Sequence, residues 1–242
     1  MPYRRLPNTD QARMRAIETA LEKGKRIAMK ELAFSLQSLE KMQFLYPRLT
    51  AAIRQLNAAK QNQFDKSREY GETFKRAKLY ISHFIQVMTF AIIREEIKPE
   101  ARAFYGLEVN SQKIPAINLE KDVLEWGEKI ISGEQKRCMH GGSPIYSPSI
   151  ALVKVHYESF IDAYRHQMML QNITNRASEQ ITQVREEADQ LIQQVWNEIE
   201  TRYSNLPDEL KREKATDYGV TYFYRPAELK KMEADKLQTN LF

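Results

Sequence analysis

The 242-residue chain predicts an all-α protein: an elongated antiparallel helical bundle built on two long helices, with a minor extended or two-stranded element. Only eight Gly and nine Pro occur, which indicates few turns and long elements. Apolar residues recur at steps of three and four over two tracts of about 50 residues each, the spacing of amphipathic helices. Two short apolar or aromatic stretches account for the extended element. We expect one domain over residues 1–242.

The first long helix is predicted to begin at Pro47 and to continue for roughly 50 residues, or about 75 Å. Tyr46 precedes the proline, a position that disfavours helical conformation, so a separate helical segment from Arg26 is predicted to end near Phe44. Between residues 80 and 93 apolar side chains lie on two faces, which predicts enclosure by several neighbours. The apolar stripe consists of Leu49, Ile53, Leu56, Phe64, Tyr70, Phe74, Ala77, Ile81, Phe84, Met88 and Ile92.

The second long helix is predicted to begin at Ser147-Pro148, because Ser is a good cap and Pro suits the first helical position. Its stripe consists of Val153, Tyr157, Phe160, Tyr164, Ala177, Ile181, Val184, Ala188, Leu191, Val195, Ile199 and Tyr203. Two helices of matching length should lie side by side. If residue 97 is level with residue 148, positions that face each other sum to about 245.

A shorter helix is predicted from Asp10 to Gly24, beginning with a Thr-Asp cap at residues 9–10 and ending at the glycine. Two others are predicted from Asn118 to about Arg137 and from Pro207 to Thr216. The charged tail, residues 227–242, is predicted to be helical and peripheral.

The two extended stretches, 113–117 (KIPAI) and 220–226 (VTYFYRP), are each expected to be a strand or a strap across the bundle. If they pair with each other, they form a ribbon that depends on the helices for burial.

The basic N-terminal segment, residues 1–30, holds eight basic and three acidic side chains, and so accounts for the whole net charge of +5. Clustered cations can bind the phosphates of nucleic acid, or an acidic partner. Ile17, Leu21 and Ile27 give the segment an apolar face, which is typical of a packed helix with a solvated basic side. The candidate binding residues are Arg4, Arg5, Arg13, Arg15, Lys23, Lys25, Arg26 and Lys30.

Common catalytic and cofactor motifs are absent, including phosphate loops, dinucleotide fingerprints, zinc-protease and hydrolase motifs, and the Glu-x-x-His unit of di-iron bundles. We therefore predict no catalytic residue and no cofactor. A metal or small-molecule site in the bundle core near His83 is an alternative. Asp162 and His166 are four residues apart on one helical face, and the expected register brings His83 near Asp162 as a third ligand.

The stretch 136–144 (KRCMHGGSP) contains the only cysteine, Cys138, close to His140. A thiolate and an imidazole are both competent in catalysis or metal binding. Residues two apart on a helix point in different directions, however, and the Gly-Gly pair with the following prolines is typical of a helix end. We interpret the stretch as the end of one helix and the approach to the next.

The sequences KLYISHFIQV at 78–87 and DYGVTYFYRP at 217–226 resemble a group of uncharacterised bacterial helical proteins. The resemblance implies a bacterial, cytoplasmic, mostly helical protein, and it implies no active site.

These observations favour a non-enzymatic structural or protein-interaction module that binds a protein partner or a second copy of itself. Binding of nucleic acid or an acidic partner through the basic N-terminal segment is an alternative. The N-terminus lacks the apolar core of a secretory signal, and the apolar tract at 84–93 is too short to cross a bilayer. We expect a cytoplasmic location and no membrane contact.

Replacing Gly141 and Gly142 with Ala is expected to lower stability more than Cys138→Ser does, because the glycines end a helix whereas the thiol has no chemical role. Urea unfolding of the variants measures the ranking. Loss of an activity in a stable Cys138→Ser protein would instead indicate a reactive site.

Overall fold

The structure is a computed structural model that describes residues 3–226 and Glu228. It is all-α and is built on two long antiparallel helices, as predicted. Its elements are β1 (Tyr3–Arg4), α1 (Asp10–Arg26), α2 (Leu36–Ile93), α3 (Glu120–Met139), α4 (Ile150–Arg202), α5 (Asp208–Thr216) and β2 (Tyr222–Phe223), with 3₁₀ turns at Met29–Glu31 and Pro99–Tyr105. The predicted peripheral tail, residues 227–242, lies outside the described residues except for Glu228.

The chain divides into two compact units. The first unit is Met1–Ala58 with Asn175–Phe242, and the second unit is Ala59–Thr174. Both α2 and α4 contribute to each unit. The expectation of one domain stays a prediction.

The first unit packs α1 and α5 with the first part of α2 and the last part of α4. Thr9 caps α1, as the sequence predicts: its hydroxyl oxygen accepts a hydrogen bond from the Ala12 N–H at 3.2 Å. The apolar face of α1 buries Ile17 in a core that also contains Leu49 and Trp196. This packing confirms that the basic N-terminal segment has a structural apolar face.

The predicted helix boundary at Pro47 is wrong, because α2 begins at Leu36 and passes through the proline. Proline in a helix removes one backbone hydrogen bond to the carbonyl four residues earlier. Pro47 and Gln43 are both exposed, so water can reach the carbonyl that loses its donor. Met42 and Leu45 stay buried on the opposite side and hold the helix in place.

The predicted helix from Arg26 to Phe44 is interrupted, because residues 27–35 leave the α conformation before α2 begins. Ser35 caps α2 through a hydrogen bond from the Ser38 N–H at 3.2 Å. The Glu198 carboxylate of α4 accepts from the Ser35 N–H at 2.7 Å and so fixes this start.

Two other helix starts are shifted by two residues. α4 begins at Ile150 rather than at Pro148, because Ser149 supplies the carbonyl and hydroxyl oxygens that accept the first N–H groups. α3 begins at Glu120 rather than at Asn118.

The two-stranded element pairs β1 with β2 in an antiparallel register that places Tyr3 opposite Phe223. The segment 220–226 therefore contributes a strand, but 113–117 is not its partner. A buried arginine holds 113–117 instead: Arg102 donates to the carbonyl of Lys113 at 3.0 Å.

The second unit buries one face of the predicted apolar tract of α2, where Phe84 packs in a core with Tyr105 and Phe160. The expectation that neighbours enclose both faces of residues 80–93 is wrong, because the neighbouring elements cover only the Phe84 face and leave Phe90 and Ile93 exposed. Two glycines let α3 approach its neighbours closely. A Cβ at Gly127 would lie 2.2 Å from the Tyr157 ring.

The register of α2 against α4 differs from the prediction. The rings of Tyr80 and His156 stack with centroids 4.0 Å apart, so facing positions sum to about 236 rather than 245. In the first unit, Arg48 bonds to Glu187 at 2.9 Å in nearly the same register. Side-chain packing sets the register, and α2 consequently extends about seven residues past the level at which α4 begins.

Gly133→Ala is expected to lower the free energy of unfolding by about 2–3 kcal/mol, because its Cβ would lie 2.6 Å from the main-chain oxygen of Phe104. Gly71→Ala is the matched control in a helix, since nothing lies within 4 Å of a Cβ there. That control should gain roughly 0.5–1 kcal/mol from helix propensity. Urea unfolding measures both, and equal effects of the two variants would contradict the close approach.

Candidate functional site

The three predicted metal ligands are all exposed, and the register separates His83 from Asp162 and His166. His83 lies level with about residue 153, which is nine residues from Asp162, or roughly 14 Å along α4. Within residues 3–226 and Glu228, no group of three or more His, Cys, Asp or Glu side chains is placed to hold a metal ion. The geometry therefore gives no support to a site made by His83, Asp162 and His166.

Asp162 and His166 belong instead to a long exposed face of α4 in the second unit. Its members recur at alternating steps of three and four residues, and all are exposed: Leu152, Val155, Ser159, Asp162, His166, Met169 and Ile173. We name this set the α4 heptad face. It lies on the side of the helix away from Val153 and Phe160, which are completely buried. The sequence contains this spacing, but several stripes compete along α4, and only burial shows which of them is left uncovered.

The α4 heptad face is apolar at both ends and polar in the middle. Leu152 and Val155 form one end, and Met169 and Ile173 form the other. A period of 3.5 residues is the spacing of helices that pack against a partner helix in coiled coils. The face can therefore receive one further helix along about three heptads.

Four of the eight cations in the basic N-terminal segment form ion pairs inside the first unit. The ion pairs are Arg4 with Glu200 at 3.1 Å, Arg13 with Asp189 at 2.7 Å, Lys23 with Asp217 at 3.0 Å and Arg26 with Glu22 at 3.7 Å. Three of these four carboxylates come from beyond residue 30, so folding offsets much of the local positive charge. Such pairing weakens a long phosphate-binding surface, because each paired cation already has a counterion.

The other four cations, Arg5, Arg15, Lys25 and Lys30, are exposed, and no carboxylate of the described residues lies within 4.0 Å of them. They are the cations of the segment that remain available to a ligand.

Cys138 and His140 do not form a reactive pair. The Cys138 Sγ lies 3.7 Å from the Glu134 carboxylate, and burial, followed by that negative charge, raises the pKa of the thiol. A protonated thiol is a poor nucleophile and a poor metal ligand. The Nδ1 atom of His140 lies 2.8 Å from the Lys136 carbonyl, and α3 ends at Met139 as the glycine pattern indicates.

Arg137, in the same stretch 136–144, forms a buried ion pair with Glu134. Glu134 and Arg137 are 1% and 5% exposed, and they form two hydrogen bonds of 2.8 Å. The Tyr105 hydroxyl also donates to Glu134. Arg137 donates to the Ser143 carbonyl at 2.7 Å, while the Ile145 N–H donates to Glu134 at 3.1 Å, so the pair holds the loop after α3 in place.

The charges of this network are stabilised by their partners. Burial alone would raise the pKa of Glu134, but hydrogen bonds from Arg137, Tyr105 and the Ile145 N–H outweigh it and lower that pKa. Burial, followed by the hydrogen bond to Glu134, raises the pKa of Tyr105, so the phenol stays a neutral donor. Because the buried polar groups of Tyr105, Glu134 and Arg137 all have hydrogen-bond partners, we interpret the network as structural.

Comparisons of the chain with protein-family models, curated proteins and solved structures find no match. Among the described residues, no helix combines the length and the apolar character needed to cross a membrane.

Glu134→Gln is expected to lower the free energy of unfolding at pH 7 by about 3–5 kcal/mol, because it leaves the Arg137 charge buried without its counterion. The folded protein holds the pKa of Glu134 below the ordinary Glu value of about 4.3, so the unfolded chain binds the proton first on acidification. The wild type should therefore lose stability as the pH falls below about 4.3, and Glu134→Gln should lose less over that range.

Urea unfolding at several pH values measures this difference. Glu125→Gln is the control on α3, because its ion pair with Lys129 is exposed and should contribute less than about 1 kcal/mol. Parallel pH profiles of the wild type and Glu134→Gln would contradict the role of the buried carboxylate.

Proposed function

We propose that the protein is a non-enzymatic structural and protein-interaction module that self-associates through the α4 heptad face. The observation that supports this function is the exposed 3.5-residue period along a helix whose opposite side is already buried in its own unit. The partner is a second copy of the same chain, packed antiparallel.

The composition of the face supports a two-fold arrangement. A dimer axis near residue 162 places Leu152 of one copy opposite Ile173 of the other, and Val155 opposite Met169. The same axis places the Asp162 carboxylate of each copy within about one turn of His166 of the other. A face that is apolar at both ends and polar at its centre is thus complementary to itself, which is what an isologous interface requires.

The polar centre sets orientation at some cost in affinity. Polar residues at core positions of coiled coils specify register and partner number, while an all-apolar seam is more stable and less selective. We therefore expect a reversible dimer at micromolar concentrations.

A shorter exposed stripe on α2 is the competing surface. It consists of Leu79, His83, Gln86, Phe90 and Ile93. It spans two heptads and has no acidic member to complement its histidine, so self-complementarity favours α4.

The proposal includes a bacterial cytoplasmic location. A single cysteine, with no disulfide partner in the chain, is consistent with a reducing compartment. The bacterial origin depends on the resemblance of residues 78–87 and 217–226.

Two double variants test the interface and its direction. Val155→Lys with Met169→Lys places like charges opposite each other in the antiparallel dimer, and we expect a monomer. Val155→Lys with Met169→Glu places opposite charges together in an antiparallel dimer but like charges together in a parallel one, so this variant should still dimerise. Sedimentation velocity from about 1 to 200 μM, spanning the expected dissociation constant, measures both.

Phe64→Lys is the control, because Phe64 is the most exposed phenylalanine of α2 and lies outside the α4 heptad face. It should dimerise like the wild type. A wild-type protein that stays monomeric over the whole concentration range would refute the proposal, and so would dimers that survive in the Lys/Lys variant.

A further inference from the structure

A cavity of about 530 Å³ opens in the first unit beside the start of α1. Arg5 and Arg15 both line it, together with the polar residues Asn8, Thr19 and Thr221. No acidic side chain of the described residues lines it. The cavity therefore brings together two of the cations that remain unpaired in the basic N-terminal segment.

From this geometry we propose that the cavity binds a small phosphate-bearing anion, such as a phosphate monoester, between the Arg5 and Arg15 guanidinium groups. A guanidinium matches the oxygens of a phosphate with two parallel N–H donors. Two such groups balance the two negative charges of a phosphate monoester. The volume is in the range of pockets for small organic ligands.

Arg5 is held in place before any ligand arrives. Its backbone N–H donates to the Thr221 carbonyl at 3.0 Å, which continues the pairing of β1 with β2. Its guanidinium lies 5.0 Å from the centroid of the Phe223 ring, a cation–π distance. These two contacts reduce the conformational entropy that binding would cost.

Arg15 approaches the cavity from the second turn of α1, a rigid element. Three small residues also line the cavity, namely Ala12 and Ala16 of α1 and Gly219. Gly219 has a positive φ of 89°, and a Cβ there would lie 3.2 Å from the Ala16 carbonyl oxygen. Gly219 therefore permits the close contact with α1 at the edge of the cavity, and the small side chains of Ala12 and Ala16 leave space for a ligand.

The cavity favours a small phosphate compound over nucleic acid. Recognition of single-stranded nucleic acid commonly uses exposed aromatic faces on which bases stack. Trp196 lines the cavity but is only 1% exposed, and the Arg4 guanidinium already lies 6.0 Å from its ring centroid. A base would find no free ring face there, whereas a phosphate group would meet two cations.

Titration calorimetry of the full chain with inorganic phosphate and with glycerol 3-phosphate tests the site. Arg5→Gln and Arg15→Gln should each weaken binding by about tenfold or more. Lys25→Gln removes the same charge from α1 outside the cavity, and its affinity should stay within about twofold of the wild type. Ala12→Leu fills the cavity without changing the charge, and it should weaken the binding of glycerol 3-phosphate as well.

The proposal is overturned by three results. One is the absence of binding at about 20 mM ligand in low salt, where charge interactions are strongest. Another is an equal loss in Lys25→Gln, which would indicate general charge attraction. The last is tighter binding of a DNA or RNA oligonucleotide than of the phosphate compounds, with that binding lost in the same arginine variants. This result would indicate a nucleic-acid interface. Circular dichroism confirms that each variant is folded.

Discussion

Most of the apolar stripe of each long helix is buried where α2 and α4 pack together with the shorter helices, and this packing is the constraint on which the rest of the structure depends. Helices of this length gain most of their stability from packing of the apolar stripe rather than from intrinsic propensity. In the second unit the Tyr80–His156 stack sets the pairing, and in the first unit the Arg48–Glu187 ion pair lies in nearly the same register. The register decides which side chains of α2 and α4 lie at the same level, and therefore which of them can form a site together.

Close packing of α3 in the second unit requires specific residues rather than general apolar character. Gly127 and Gly133 make room for a tyrosine ring and a main-chain carbonyl. The buried Glu134–Arg137 pair then forms hydrogen bonds with backbone groups of the loop that follows the helix. The only cysteine, Cys138, lies beside this pair. The stretch at 136–144 thus has the composition of a reactive site, but its residues end a helix and fix the loop that follows. Breaking one partner of such a pair costs far more than an exposed ion pair contributes.

Electrostatics divides the basic N-terminal segment into two classes of cation. Those that face acidic residues of α4 or of the segment after α5 stabilise the packing of α1, as the bidentate Arg13–Asp189 contact does. Arg5 and Arg15 lie within two residues of the paired Arg4 and Arg13 in the sequence, yet they line a cavity to which the described residues contribute no carboxylate. The net charge of the segment therefore overestimates the number of cations available to a polyanion. It also does not show that two of the available cations lie in one cavity.

The sequence by itself determined the fold class, the approximate spans of α1, α3, α4 and α5, the Thr9 cap of α1 and the structural character of the stretch at 136–144. These features depend on local periodicity, capping and glycine conformation, which act over a few residues. Only the tertiary structure decided that α2 passes through Pro47, that β1 rather than 113–117 pairs with β2, and that His83 and Asp162 lie apart. The α4 heptad face and the separation of paired from unpaired arginines were also decided there. Each of these depends on which distant residues are brought together, because solvent exposure and ion pairing are properties of the packed chain and not of the spacing along it.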